Sequence, residues 1–111
     1  MAQKIERGQI WWINLDPTVG SQIRKTRPCV VFTANEANEH RRTPVVVPLS
    51  ASPDEAFPYV VSVPSAGKDS VAVTDQIRAV DKRRFVRCSG RLKADDIGEI
   101  ETALKLVLAL S

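Results

Sequence analysis

The sequence is poor in the residues that most enzymes use for acid–base and metal chemistry. It has one histidine, His40, and two cysteines, Cys29 and Cys88. A single histidine cannot form a two-histidine acid–base pair, and no cluster of His, Cys and Asp has the spacing of metal ligands. The glycine patterns of Walker and dinucleotide-binding loops are also missing. We therefore expect no metal and no cofactor, and any catalysis must use Arg, Ser, Thr, carboxylate and backbone groups.

Long apolar segments are missing as well. No apolar run reaches the roughly 18 residues that a membrane span needs, and residues 1–7 lack the apolar core of a signal peptide. We therefore expect no membrane association and a cytoplasmic location. Both cysteines lie in apolar, strand-like runs, and cytosolic cysteines of this kind are usually buried and reduced. We assign them neither a redox nor a metal role.

The net charge of +3 is distributed unevenly along the 111 residues. Residues 1–93 carry 15 Lys and Arg against 9 Asp and Glu, a balance of +6, whereas residues 94–111 have a balance of −3. A basic body attracts phosphates, although proteins without such a partner can also be modestly basic. The length suits a single domain, 1–111, that buries about 65% of its extended-chain surface.

Residue patterns predict a mainly β fold with a C-terminal helix. Runs rich in β-branched and aromatic residues predict strands at 9–15, 28–33, 45–49, 59–63, 70–73 and 86–92, with 76–80 also extended. Trp11 and Trp12 are adjacent in the first strand and must point to opposite faces. Residues 34–43 are predicted to form a mobile loop, with a helical turn as the alternative, and 81–84 a tight or single helical turn. One face of the predicted final helix carries Ile97, Ile100, Leu104, Val107 and Leu108.

A polar loop with three cations runs directly into an apolar strand within residues 20–29. Pro28 fixes its own φ and favours an extended Arg27, so a stiff junction holds the guanidinium. A side chain on such a rigid backbone segment is suited to a functional site. The ordinary alternative is a loop arginine in solvent, and the motif alone favours that alternative.

Several blocks occur in an order that resembles the MazF/PemK (Kid) family of toxin endoribonucleases. The N-terminal blocks are Arg7-Gly8-Gln9-Ile10-Trp11, Leu15-Asp16-Pro17-Thr18-Val19-Gly20-Ser21 and Thr26-Arg27-Pro28. The later blocks are Val45-Val46-Val47-Pro48-Leu49-Ser50 and Asp75-Gln76-Ile77-Arg78, followed by the closing helix. The resemblance covers nearly the whole chain. It implies the SH3-like barrel that PemK-type toxins share with the gyrase poison CcdB.

The resemblance assigns catalytic roles to Arg27, Ser50 and Asp75. Arg27 would stabilise charge on the phosphoryl oxygens, Ser50 would donate a hydrogen bond to one of them, and Asp75 would orient Arg27 or accept a proton. RNA contacts are implied for Ser21, Gln22, Arg24, Lys25, Thr26, Gln76 and Arg78. A further basic run could follow an RNA backbone or form a solvated face, and it comprises Lys82, Arg83, Arg84, Arg87 and Arg91. Without the resemblance, Ser50 is an ordinary residue at a strand end.

Two positions depart from the family pattern. Many relatives have Glu where this chain has Gln22, and some have His where it has Thr26. The carboxylate and the imidazole proposed for proton transfer in parts of the family are therefore missing here.

The resemblance implies the function of a type II toxin. Such a toxin is a homodimeric, metal-independent endoribonuclease that cuts single-stranded RNA at short sequences, leaves 2′,3′-cyclic phosphate and 5′-hydroxyl ends, and is blocked by a cognate antitoxin. Two alternatives stay open: a CcdB-like gyrase-binding toxin without nuclease activity, and a catalytically dead relative that only binds RNA.

Overall fold

The computed structural model describes residues 3–15, 26–51 and 58–110. Its strands are β1 (Gln9–Asn14), β2 (Thr26–Val31), β3 (Val45–Ser50), β4 (Val60–Ser62), β5 (Val71–Val73), β6 (Arg78–Ala79) and β7 (Phe85–Arg91). Its α-helices are α1 (Asn35–His40) and α2 (Ala94–Val107), and short 3₁₀ turns occur at Pro64–Ala66, Thr74–Gln76 and Lys82–Arg84. No helix in these ranges is long and apolar enough to cross a membrane.

The described strands form one seven-stranded antiparallel sheet in the order β4-β5-β3-β2-β1-β7, with β6 paired to β3. In the register of the central strands, Trp11 lies opposite Cys29 and Val30 lies opposite Val47. The prediction of a mainly β fold closed by a C-terminal helix is therefore confirmed. The sheet curves into the barrel-like form that the sequence resemblance implied.

Strict alternation in the central strands gives the sheet two hydrophobic cores. One core combines Ile10, Val30 and Val47 with Ile100 and Leu104 of α2. The other core lies on the opposite face and is formed by Trp11, Ile13, Cys29, Val31, Val46 and Val80. Burial of each large aliphatic side chain contributes about 1.5–3 kcal/mol, so α2 is fixed to the sheet mainly by its apolar face.

The two tryptophans point to opposite faces, as predicted. Trp11 is buried and meets the ring of Phe85 edge-on, with 5.5 Å between the ring centroids. Trp12 is only half-buried, and the Arg87 guanidinium lies 5.1 Å from its ring centroid. One indole therefore stabilises the core and the other remains accessible.

One local prediction resolves to its alternative, and two need correction. Residues 34–43 contain the helix α1, which agrees with the alternative of a helical turn, and buried Asn38 in it donates to the Thr33 carbonyl at 2.9 Å. Gln76 belongs to a 3₁₀ turn, so the extended segment is only Arg78–Ala79. Leu108 is 49% exposed because α2 ends at Val107, and Leu108 leaves the helical conformation at ψ 0°. The other four predicted apolar positions of α2 do pack against the core.

The N-terminal segment joins three distant parts of the chain. Gly8, with φ 92°, donates from its amide to the Val31 carbonyl at 2.8 Å and accepts from the Leu92 amide at 2.9 Å. Arg7 forms an ion pair of 2.8 Å with Glu101, and its guanidinium lies 4.4 Å from the Phe32 ring centroid. This segment therefore ties the end of β2, the end of β7 and α2 to one another.

Candidate active site

Arg27 and Ser50 lie at the same end of two neighbouring strands. Cys29 of β2 is opposite Pro48 of β3, and continuing this antiparallel register by two residues places Arg27 opposite Ser50. Directly opposite residues point to the same face and have Cβ atoms about 4.5–5.5 Å apart. The sheet therefore brings together two residues that the sequence predicted as catalytic. Arg27 is exposed and extended, as Pro28 was expected to require.

A cleft of about 280 Å³ opens at this end of the sheet, and we call it the Arg27 cleft. Four of its lining residues are predicted site residues, namely Arg27, Ser50, Gln76 and Arg78. Its apolar walls are Leu15, Pro48, Leu49 and Val73. Sequence reasoning did not assign these walls, because an apolar residue at a strand end carries no chemical signal of its own.

Arg78 provides a second guanidinium on the face that carries Arg27. It lies in β6 opposite Val46, whose side chain belongs to the same core as Cys29. Burial raises the pKa of the Cys29 thiol to about 12, and the positive charge of Arg78 acts in the opposite direction. Neither Arg27 nor Arg78 forms an ion pair with any carboxylate in the described ranges. Both cations are therefore available to an anionic ligand.

Two predicted site residues lie beside the cleft without lining it. Asp75 is exposed in the 3₁₀ turn Thr74–Gln76, directly before the cleft residue Gln76. Thr26 pairs with Asn14 and precedes Arg27 in the strand, so its side chain points to the opposite face. The other predicted RNA contacts, Ser21, Gln22, Arg24 and Lys25, lie outside the described residues.

Most of the basic run after Arg78 has other contacts. Arg83 pairs with Asp81 at 3.1 Å, Arg91 pairs with Glu6 at 2.9 Å, and Arg87 covers the Trp12 ring. Arg84 donates to the Asn14 carbonyl at 3.3 Å, near the end of β1. Within the part of the chain that the structure describes, no three His, Cys, Asp or Glu side chains group as metal ligands.

The fold and the cleft define a small antiparallel β protein with a cleft at the strand ends that two arginines line. A protein-family model described as "PemK-like, MazF-like toxin of type II toxin-antitoxin system" matches residues 6–108. The chain belongs to this family of toxin endoribonucleases.

Named relatives agree with this assignment. The chain is 34% identical to endoribonuclease MazF9 of Mycobacterium tuberculosis, over 96% of this chain and 98% of that protein. It is 32% identical to endoribonuclease PemK of Escherichia coli, over 90% of this chain and 82% of that protein. A solved MazE–MazF complex from Deinococcus radiodurans matches with a TM-score of 0.83 at 23% identity, over 99% of this chain and 100% of the matched chain. That structural match supports the fold.

Proposed function

We propose that this protein cleaves single-stranded RNA at short sequences without a metal ion, leaving 2′,3′-cyclic phosphate and 5′-hydroxyl ends. The observation that carries the proposal is the Arg27 cleft, which Arg27, Arg78 and Ser50 line in a member of a toxin endoribonuclease family. Within the described ranges neither guanidinium forms an ion pair.

The substrate supplies its own nucleophile in this reaction. The 2′-oxygen forms a bond to the adjacent phosphorus, the bond from phosphorus to the 5′-oxygen breaks, and one proton leaves the 2′-hydroxyl while another reaches the departing oxygen. Negative charge develops on the phosphoryl oxygens, and Arg27 lies at the open end of β2 to stabilise it. A guanidinium keeps its protons in proteins, so we assign Arg27 the role of a fixed charge rather than that of a proton donor.

Other residues complete the proposed site. Ser50 donates its hydroxyl to a phosphate oxygen, while Arg78 and Gln76 hold the RNA backbone on the other side of the cleft. Asp75 is the carboxylate that we assign to the site, because it directly precedes the cleft residue Gln76 in the same 3₁₀ turn. It can orient Arg27 or accept a proton. The proposed RNA contacts also include Thr26 and the polar residues Ser21, Gln22, Arg24 and Lys25.

The proposed partners follow the pattern of the family. Solved relatives include a mycobacterial endoribonuclease in complex with its cognate antitoxin and MazE–MazF complexes. By analogy, we assign this toxin a cognate antitoxin that covers the cleft, a homodimeric state and a cytoplasmic location.

Incubation of the purified protein with a long single-stranded RNA in EDTA tests the proposal. We expect cuts at one recurring short sequence, and mapping should find 2′,3′-cyclic phosphate and 5′-hydroxyl ends. Arg27→Ala, purified identically, controls for contaminating ribonucleases. Cleavage restored only by Mg²⁺ or Mn²⁺ would refute the mechanism. A toxic protein that cuts no RNA but traps gyrase on DNA would instead favour the CcdB-like alternative.

A further inference from the structure

A second cleft, of about 400 Å³, opens on the other side of the strand end that carries Ser50. It shares Leu49 and Ser50 with the Arg27 cleft, so the two clefts meet at the end of β3. Its remaining lining residues come from β1, β2, β7, Ala51 and the segment 65–70. We call it the Trp12 cleft after its one aromatic residue. The two clefts are therefore neighbours that meet at Ser50.

Trp12 presents a flat apolar surface in this cleft. The indole is half-buried, and the Arg87 guanidinium 5.1 Å from the ring centroid fixes its orientation. The preceding residue, Trp11, is buried in the core, so packing alone does not require a second large ring here. Fixed, accessible aromatic rings are the usual platforms on which proteins stack the bases of single-stranded nucleic acids.

An irregularity in β7 keeps the cleft open beside Trp12. Ile10 lies opposite Gly90, but Trp11 lies opposite Cys88, so Ser89 is an extra residue in a β-bulge. Bulges redirect side chains and are frequent next to active sites. A Cβ added to Gly90 would have no atom within 4 Å. The wall of the cleft is therefore bare at Gly90, with the hydroxyl of Ser89 beside it.

Hydrogen-bonding groups surround the stacking surface. Ser89 makes only a long hydrogen bond, 3.5 Å, to the Ile10 carbonyl, and the Ser70 hydroxyl has no hydrogen-bond partner among the described residues. In contrast, Arg91 is held by the Arg7 carbonyl and Glu6, both at 2.9 Å. The cleft thus offers two adaptable hydroxyls and one fixed cation around an aromatic ring, a combination suited to the polar edge of a nucleobase.

We propose that the Trp12 cleft binds one unstacked nucleobase of the RNA, close to the cut phosphate, with the base stacked on Trp12 and its polar edge facing Ser70 and Ser89. This inference rests on the proposed ribonuclease function and adds to it the place where a base is read. It makes Trp12 a specificity-determining residue that has no part in the chemical step.

An abasic scan of the substrate tests the assignment. The probe is an oligoribonucleotide with the cleaved sequence, made uncleavable by a 2′-deoxy sugar at the cut position, and each flanking base is removed in turn. Affinity is measured by fluorescence anisotropy in EDTA for the wild type and for Trp12→Leu. Tyr59→Leu is the matched control, because Tyr59 is an exposed aromatic residue outside both clefts.

We expect one abasic position to weaken binding to the wild type and to Tyr59→Leu by roughly 5- to 150-fold, and to leave the affinity of Trp12→Leu unchanged. Equal losses in all three proteins at every position would overturn the assignment while cleavage by the wild type still supports the proposed function. Absence of any cleavage would overturn both. If Trp12→Leu fails to fold, Trp11→Phe leaves Trp12 as the only tryptophan. Its emission should then be quenched by the intact oligonucleotide and not by the same abasic one, and equal quenching by both would overturn the proposal.

Discussion

Arg27 is exposed, yet its backbone belongs to a strand whose neighbouring residues are buried. Pro28 follows it, and from Cys29 onward β2 lies in the two cores. Such a residue adds little to the stability of the fold but has a well-defined position. Removal of its side chain should therefore affect catalysis and leave the structure unchanged.

Arg27→Ala should lower the rate of RNA cleavage by roughly 10³- to 10⁵-fold, the range measured for arginines that stabilise phosphoryl transfer. Arg27→Lys should restore little, because the ammonium lacks the planar fork of the guanidinium. Single-turnover cleavage and thermal unfolding measure the two effects separately. Arg83→Ala is the control, since the Arg83 side chain is 87% exposed and, among the described residues, pairs with Asp81 alone. Cleavage by Arg27→Ala at a near-wild-type rate would show that the active site lies elsewhere.

Cys29 makes the stability of the protein depend on pH in the alkaline range. Burial raises the pKa of its thiol from 9.0 to about 12, so the folded protein keeps a proton that the unfolded chain loses. The contribution is fully present below pH 9 and decreases as the pH rises toward 12, by roughly 1.4 kcal/mol per pH unit. Urea unfolding of wild type and Cys29→Ala from pH 8 to 11 should show a steeper decline for the wild type. Parallel declines would contradict this role for the thiol.

At the scale of elements, residue patterns predicted most of the strands and the closing helix. Runs rich in apolar, β-branched and aromatic residues located β1, β3 and β7, and the helical spacing from Ile97 to Val107 located α2. The patterns did not show contacts made by single polar side chains. Asn38 fixes α1 through Thr33, and nothing in the polar run 34–43 distinguishes such an anchor from a solvated asparagine.

Asp96 is another polar anchor of this kind. It is buried at the start of α2 and accepts hydrogen bonds from both the amide, at 2.9 Å, and the hydroxyl of Ser65, which is 31 residues away. Asp96→Ala should lower the free energy of unfolding by about 1–3 kcal/mol, because it leaves the Ser65 groups without their partner. Asp95→Ala is the control, since Asp95 is exposed in the same turn and only favours the helix dipole, worth about 0.3–1 kcal/mol. Chemical denaturation should separate the two variants; equal losses would rule out Asp96 as the anchor.

At the scale of the whole molecule, the candidate site depends on register rather than on sequence proximity. Arg27, Ser50 and Arg78 come from β2, β3 and β6, and only the pairing of these strands places them together. The chemistry of each side chain made it a candidate site residue, but it gave no reason to place the three residues in one site. The resemblance to a known family supplied that reason, and it could not supply the Trp12 cleft, which depends on a bulge.

The basic surface should make RNA binding sensitive to salt. Each phosphate contact on single-stranded RNA contributes about −0.7 to the slope of log affinity against log salt. Arg78→Ala should therefore weaken binding of the uncleavable oligoribonucleotide and reduce the slope by about 0.7, whereas Arg83→Ala should leave it unchanged. Anisotropy titrations from 50 to 300 mM salt measure both. A slope that is the same in Arg78→Ala and wild type would exclude Arg78 from the phosphate path.

The joint between the N-terminal segment and α2 bears on when the protein becomes active during its own synthesis. Arg7 pairs with Glu101, 94 residues away, and one of the two cores is incomplete until α2 adds Ile100 and Leu104. Because such distant contacts form late in folding, β2 and β3 lack a complete hydrophobic core to pack against while α2 is still inside the ribosome. We therefore expect a nascent chain without α2 to hold Arg27 and Ser50 in no stable alignment. Ribonuclease activity should then appear only after the closing helix has left the ribosome.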